Sequence, residues 1–217
     1  MSKLTVDFIE ADCTLIDRAH PIGVEPSRSD SRRVLIAGLG NVFLGDSAFG
    51  LEIIHQLTHT DLPLGVESRE FGTELQELAL SVASGYDTVI LITAMSRGCE
   101  PGTLFLLEPR FTDTDDSGEE SDSLPVELSA ALSRALVTGI RPRRLFVLGC
   151  EPNNSFHDGR LIHLSRPVGT AIPNAIQMLW FLLRQVTHTP PNEEVNLNFD
   201  FSTADVGSEA VPIRKIG

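Results

Sequence analysis

The chain has 217 residues, 41% of them hydrophobic, and carries 17 Lys and Arg against 30 Asp and Glu, a formal charge of −13. This length suits one domain with a sizeable core plus tails, and no apolar run approaches the length of a membrane span. The acidic balance repels phosphate backbones and anionic membranes, so neither nucleic acid nor a membrane is an expected partner. Met1 to Glu10 place Asp7 and Glu10 where a signal peptide needs an apolar centre, and a cytoplasmic location is expected. Cys13, Cys99 and Cys150 lie far apart without a C-x-x-C pair, which reads as free, reduced thiols.

Residues 1–31 are polar and irregular and read as a flexible extension. A domain over 32–188 and a flexible, proline-punctuated tail over 189–217 complete the expected organisation. The apolar run from Val34 reads as a buried parallel strand that ends in Gly38-Leu39-Gly40-Asn41, a sharp exit. From Ala48 a helix follows, with Phe49, Ile53 and Leu57 on one stripe. In an open α/β sheet ligands meet the loops at the carboxyl ends of the strands, which marks residues 38–47 as cleft-lining. A dinucleotide fingerprint is excluded, because Phe43 stands where G-x-G-x-x-G needs its third glycine.

A second strand is expected over 66–71 and a second helix through Leu75, Leu78, Ala79 and Val82. Residues 88–92 read as the most buried strand, with Thr93 to Gly98 as its exit, and 103–107 as a fourth strand. Six acids fall between Phe111 and Ser123. Their spacing mimics the start of an EF-hand loop, but Leu124 holds the twelfth position, where a bidentate glutamate belongs. A solvated loop is the expectation there. A third helix is expected through Leu128, Ala131, Leu132, Ala135 and Leu136, and a fifth strand over 144–149. The basic cluster Arg141, Arg143 and Arg144 just before that strand reads as a solvated loop edge. The last helix carries Ile172, Ala175, Ile176, Leu179, Leu183 and Val186. It is expected to begin near Thr170, so that Pro173 falls in its first turn. The sum is a three-layer α/β/α sandwich around a mostly parallel five-stranded sheet.

Gly38, Gly40, Asn41, Asp46, Ser47 and Gly50 resemble the opening motif of the hydrogenase maturation endopeptidases, roughly G-x-G-N-x-x-x-x-D-D/E-x-x-G. The resemblance runs over about residues 33–187. It includes Gly85-Tyr86-Asp87 before the central strand, Pro101-Gly102-Thr103, Gly149-Cys150-Glu151-Pro152 and Leu164-Ser165-Arg166-Pro167-Val168. It implies a nickel-dependent peptidase that removes a carboxy-terminal extension from the large subunit of a nickel-iron hydrogenase, using the nickel in that precursor as its recognition point. The family's three metal ligands fall at Ser47, Thr93 and near Leu124, where an acid, an aspartate and a histidine are expected. Hydroxyls are poor nickel ligands and leucine is none, so neither a metal ligand nor a catalytic residue is assigned. Gly40, Asn41, Asp46, Ser47, Thr93 and Leu124 are expected to line the cleft.

Three readings follow. The first is a maturation peptidase with impaired or altered metal-dependent catalysis, with nickel from the substrate as its only implied metal. The second is a non-catalytic member that binds a hydrogenase large-subunit precursor or another maturation factor. The third is an unrelated hydrolase using Ser47 or Cys150, for which no base or activating partner is visible. His55 and His59 echo a zinc-peptidase H-E-x-x-H, but Gln56 replaces the base. His157 and His163 read as solvated loop histidines.

Overall fold

The structure, a computed structural model, describes residues 3–7, 32–112, 125, 128, 130–133, 142–153 and 163–188. The strands are β1 (Lys3–Asp7), β2 (Val34–Leu39), β3 (Val66–Gly72), β4 (Thr88–Ala94), β5 (Leu104–Thr112) and β6 (Arg144–Cys150). The helices are α1 (Phe49–Leu57), α2 (Leu75–Val82) and α3 (Arg166–His188), with a short 3-10 turn at Gly45–Ala48 leading into α1. Residues 128 and 130–133 are also helical, with Leu128, Ala131 and Leu132 buried as their spacing requires.

The strands form one sheet in the order β1-β5-β6-β4-β2-β3. Pairs β2–β3, β2–β4 and β4–β6 are parallel, whereas β5 runs antiparallel to β6 and β1 antiparallel to β5. The five strands expected between 34 and 150 are all present. A sixth, Lys3–Asp7, adds to the β5 edge from within the stretch expected to be an irregular extension. Its partner β5 runs to Thr112, five residues beyond the expected end of the fourth strand, which gives β1 an edge to pair with.

Alternation along the strands divides the core into two layers. Val34, Ile36, Ile90, Ile92, Phe146 and Leu148 face α1 and α3. Leu35, Ala37, Val89, Leu91, Leu145 and Val147 face α2 and the helical residues around Leu132. Apolar side chains on both faces explain why β2, β4 and β6 read as continuous hydrophobic runs. The stripes expected on α1 and α2 are the ones that pack: Phe49, Ile53, Leu57, Leu78 and Val82 are all buried. No helix among the described residues is long and apolar enough to cross a membrane.

One boundary differs from expectation. α3 starts at Arg166, four residues before Thr170, so Pro173 lies inside the helix instead of in its first turn. The helix tolerates it because Pro173 and Gly169, whose carbonyl loses its helical donor, are both exposed. Solvent is free to reach the carbonyl that Pro173 leaves without a donor. At the opposite end of the sheet, Arg143 is exposed and lies 3.8 Å from Asp87, as expected of a solvated edge.

Helix α1 sits unusually close to the sheet. A Cβ at Gly50 would collide with the carbonyl oxygens of Ile92 and Leu39, and one at Gly38 with the Ile54 side chain and the Gly50 carbonyl. Glycines on both surfaces let the backbones meet, which draws the turn before α1 down onto the end of β4. Gly50→Ala is therefore expected to cost about 2–3 kcal/mol, as overpacking against rigid backbone does, read as a lower urea midpoint with unchanged slope. A change below about 0.5 kcal/mol would show that α1 lifts freely from the sheet.

Candidate functional site

The carboxyl ends of β2, β4 and β6 form one rim. Gly40 leaves β2 with φ 140°, and a side chain there would run into the carbonyl of Ser47. The next residues close on themselves. Asn41 Oδ1 accepts the Phe43 amide at 2.9 Å and its carbonyl accepts the Leu44 amide at 3.1 Å. The Leu44 carbonyl accepts the Ser47 amide at 3.0 Å, and Ser47 Oγ accepts the Asn41 amide at 3.2 Å. Asn41 suits this position because its side chain caps a turn two residues on.

Asp46 is buried, at 9% exposure, and both oxygens of its carboxylate accept hydrogen bonds. Oδ1 accepts the Ser165 amide at 2.5 Å, and Oδ2 accepts the Ser165 hydroxyl at 2.7 Å and the Asn153 amide at 2.8 Å. Ser165 immediately precedes α3 and its carbonyl accepts the Gly169 amide at 2.8 Å, so the carboxylate lies at the positive end of that helix. This one group joins the first loop of the sheet to the exit of β6 and to the start of the last helix.

Thr93 ends β4 beside β6, paired in register with Gly149. It is buried and its hydroxyl donates to the Ala94 carbonyl at 3.2 Å. Beyond β6, Glu151 is 2% exposed. Its carboxylate accepts the Ser96 hydroxyl at 2.9 Å and the amides of Arg97 and Cys99 at 2.7 and 3.2 Å. Glu151 thereby holds the loop that follows β4. No role for Glu151 follows from the sequence alone. An acid at a strand exit, facing a Ser-Arg-Gly-Cys turn, is the signal that marks it.

Cys150 lies between these two acids and is fully buried. Burial, and then the negative charges of Asp46 and Glu151, push its thiol up to about 12. Such a thiol is a small hydrophobic side chain and not a nucleophile. Ser47 is no better placed, since no base is hydrogen-bonded to its hydroxyl among the described residues.

Gly40, Asn41, Asp46 and Ser47 thus share one loop, and the turn that contains Asp46 and Ser47 packs on β4, which ends with Thr93 and Ala94. Leu124, the remaining expected cleft residue, the acidic stretch after Thr112 and His157 lie outside the described residues. His163 is exposed. His55 and His59 are exposed near the far end of α1, their rings edge to face at 5.8 Å, on the side where Gly65 meets the start of β2. Among the described residues, the donors at the rim are not those a nickel ion prefers. Ser47 and Thr93 offer neutral hydroxyls already bonded to backbone, and both Asp46 oxygens are taken. No group of three or more His, Cys, Asp and Glu among the described residues is arranged to hold a metal ion.

Two outcomes follow from this geometry. Asp46→Ala removes the acceptor of the buried Ser165 amide and hydroxyl and of the half-buried Asn153 amide and is expected to cost about 2–4 kcal/mol in urea unfolding; a loss under about 0.5 kcal/mol would contradict the assigned role. Iodoacetamide at pH 8 is expected to label Cys99 and leave Cys150 intact in the folded protein, because only about one Cys150 thiol in ten thousand is ionised there. Peptide mapping reads the result, and rapid native labelling of Cys150 would contradict its burial.

No family model matches the chain. It is 30% identical over 171 residues to the hydrogenase expression/formation protein HupD of Rhizobium leguminosarum bv. viciae, covering 76% of this chain and 79% of that protein. It is 29% identical over 123 residues to the hydrogenase 2 maturation protease of Escherichia coli K12, covering 56% of this chain and 74% of that protein. Among solved structures, the hydrogenase maturating endopeptidase HybD from E. coli superposes with a TM-score of 0.59 at 28% identity, covering 71% of this chain and 93% of that one. The [NiFe] hydrogenase maturation protease HycI from Thermococcus kodakarensis shares the fold, with a TM-score of 0.51 at 20% identity over 72% and 95% of the two chains. Matched along most of its folded domain in both sequence and architecture, the chain belongs to the hydrogenase maturation endopeptidase family.

Proposed function

We propose that this protein binds the precursor of a nickel-iron hydrogenase large subunit in the cytoplasm, and that metal-dependent removal of the precursor's carboxy-terminal extension is impaired in it. The family scaffold and its first loop are retained, which supports binding of a precursor. The observation that carries the impairment is the pair Ser47 and Thr93. Each stands at a position where the family resemblance calls for a carboxylate, and each spends its hydroxyl on backbone. A first-row divalent metal needs anionic oxygen or imidazole donors with open positions for a carbonyl or water. Two hydroxyls do not supply them, and Leu124 at the third position has no donor atom.

The neighbouring acids do not compensate. Asp46 and Glu151 are both buried and between them accept six hydrogen bonds from the protein, so recruiting either to a metal would unpair amides behind it. The chain therefore keeps the recognition half of the family's task and lacks the groups for the cut.

The test is incubation of the purified protein with a nickel-loaded precursor, followed by mass measurement of the precursor and by co-purification. Retention of the precursor at full length is expected. A shortened product, lost on adding a chelator, would refute the impairment. The combined substitutions Ser47→Glu, Thr93→Asp and Leu124→His are expected to create nickel binding detectable by isothermal titration. Absence of any heat in that variant, with its fold intact by circular dichroism, means that these three positions do not converge on one metal.

A further inference from the structure

The loop that opens the rim carries three consecutive exposed apolar side chains: Val42, Phe43 and Leu44, at 48, 74 and 61% exposure. Exposed apolar residues scattered singly need no explanation, whereas a contiguous set marks an interaction surface. Here the set is held rigid. The Asn41 side chain and carbonyl take the amides of Phe43 and Leu44, and Ser47 and Asp46 tie the loop's far end to the domain. A fixed apolar finger loses little conformational entropy when a partner closes on it.

The charges beside the finger indicate what it meets. Gly40, at its base, donates to the carbonyl of Gly72 at 2.9 Å, which places the end of β3 next to the loop. Glu70 and Glu74 flank that point, both exposed and neither in a salt bridge among the described residues. On the other flank, beyond Asp46 and Ser165, Arg166 begins α3. A second copy of this chain would bring the same two acids, and another charge of −13, against the first. An anionic lipid surface is repelled for the same reason. The complementary occupant is a polypeptide segment with apolar side chains flanked by lysine or arginine.

We infer that Val42, Phe43 and Leu44, rimmed by Glu70 and Glu74, form the anchor by which this protein grips a basic, apolar-bearing segment of its hydrogenase precursor. This rests on the proposed function above and adds the residues and the chemistry of recognition. The ring of Phe43 seats in an apolar pocket of the partner, while the two carboxylates pair with the flanking cations and set the direction of approach.

The probe is the large-subunit precursor of a nickel-iron hydrogenase from the same organism, purified with its carboxy-terminal extension and titrated against wild type and variants. Phe43→Ser is expected to weaken binding about 30-fold or more, and Leu44→Ser in the same direction. Leu64→Ser, which removes an equally exposed side chain at the opposite end of the sheet (92% exposure), is expected to leave affinity unchanged. Glu70→Lys with Glu74→Lys is expected to weaken binding at low salt and to flatten its ionic-strength dependence. Circular dichroism melts confirm that each variant folds.

Wild-type binding that Phe43→Ser leaves intact overturns the anchor and spares the proposed function. Equal weakening by Leu64→Ser overturns it as well, because contact is then unspecific. No binding by wild type removes the proposed function and the anchor together. Self-association in sedimentation velocity that Phe43→Ser abolishes, with precursor binding unaffected, assigns the finger to a second copy and overturns the inference.

Discussion

The carboxylate of Asp46 is the constraint on which the rim depends. It gathers two amides and a hydroxyl from residues more than one hundred positions away, and does so at the positive end of the longest helix. An anion in that position is stabilised three ways at once: by charge-assisted hydrogen bonds, by the helix dipole, and by a low-dielectric surrounding in which each is strengthened. Remove it and the loop after β2, the exit of β6 and the start of α3 lose their common point. Gly38 and Gly50 permit the close approach of α1 to the sheet, and the carboxylate helps to align it at the rim.

Glu151 repeats the device one strand away. It too is a buried acid at a strand exit, and it too spends both oxygens on amides and a hydroxyl of a neighbouring loop. Between the pair sits Cys150, whose thiol their charges help to keep neutral. Each of the two carboxylates accepts three hydrogen bonds from the protein, with both of its oxygens engaged. The acids act as fasteners. The framework satisfies its two buried carboxylates from within, and Ser47 and Thr93 engage their hydroxyls with backbone.

What the rim exposes is as informative as what it buries. Large apolar side chains cost solubility when left in water, and β2 ends by displaying three in a row on a loop that its own hydrogen bonds make stiff. Burying one aromatic of that size against a partner supplies much of the affinity of a modest interface. Acidic neighbours add direction and reject partners of like charge.

Much of this was legible in the residues alone. The runs at Val34, Thr88 and Arg144, the stripes on α1 and α2, and the glycine exit at Gly40 all report local rules, namely period-two burial, helical spacing and backbone freedom. The family resemblance followed from the same positions, as did the hydroxyls at 47 and 93. The edge strand at Lys3–Asp7 was not legible, since a short polar-apolar alternation becomes a strand only when an edge such as β5 is there to pair with it. Ser165-Arg166-Pro167 carried the signal for an early start to α3, a capping serine before a first-turn proline, but Pro173 argued against it. That conflict was settled by exposure, which sequence does not display. Asp46 and Glu151 show the same division most clearly. Their identity as acids is written in the chain, but their partners lie up to 119 positions away. Whether an acid is a ligand or a fastener is decided by which amides the fold brings to it, and only the tertiary structure makes that choice.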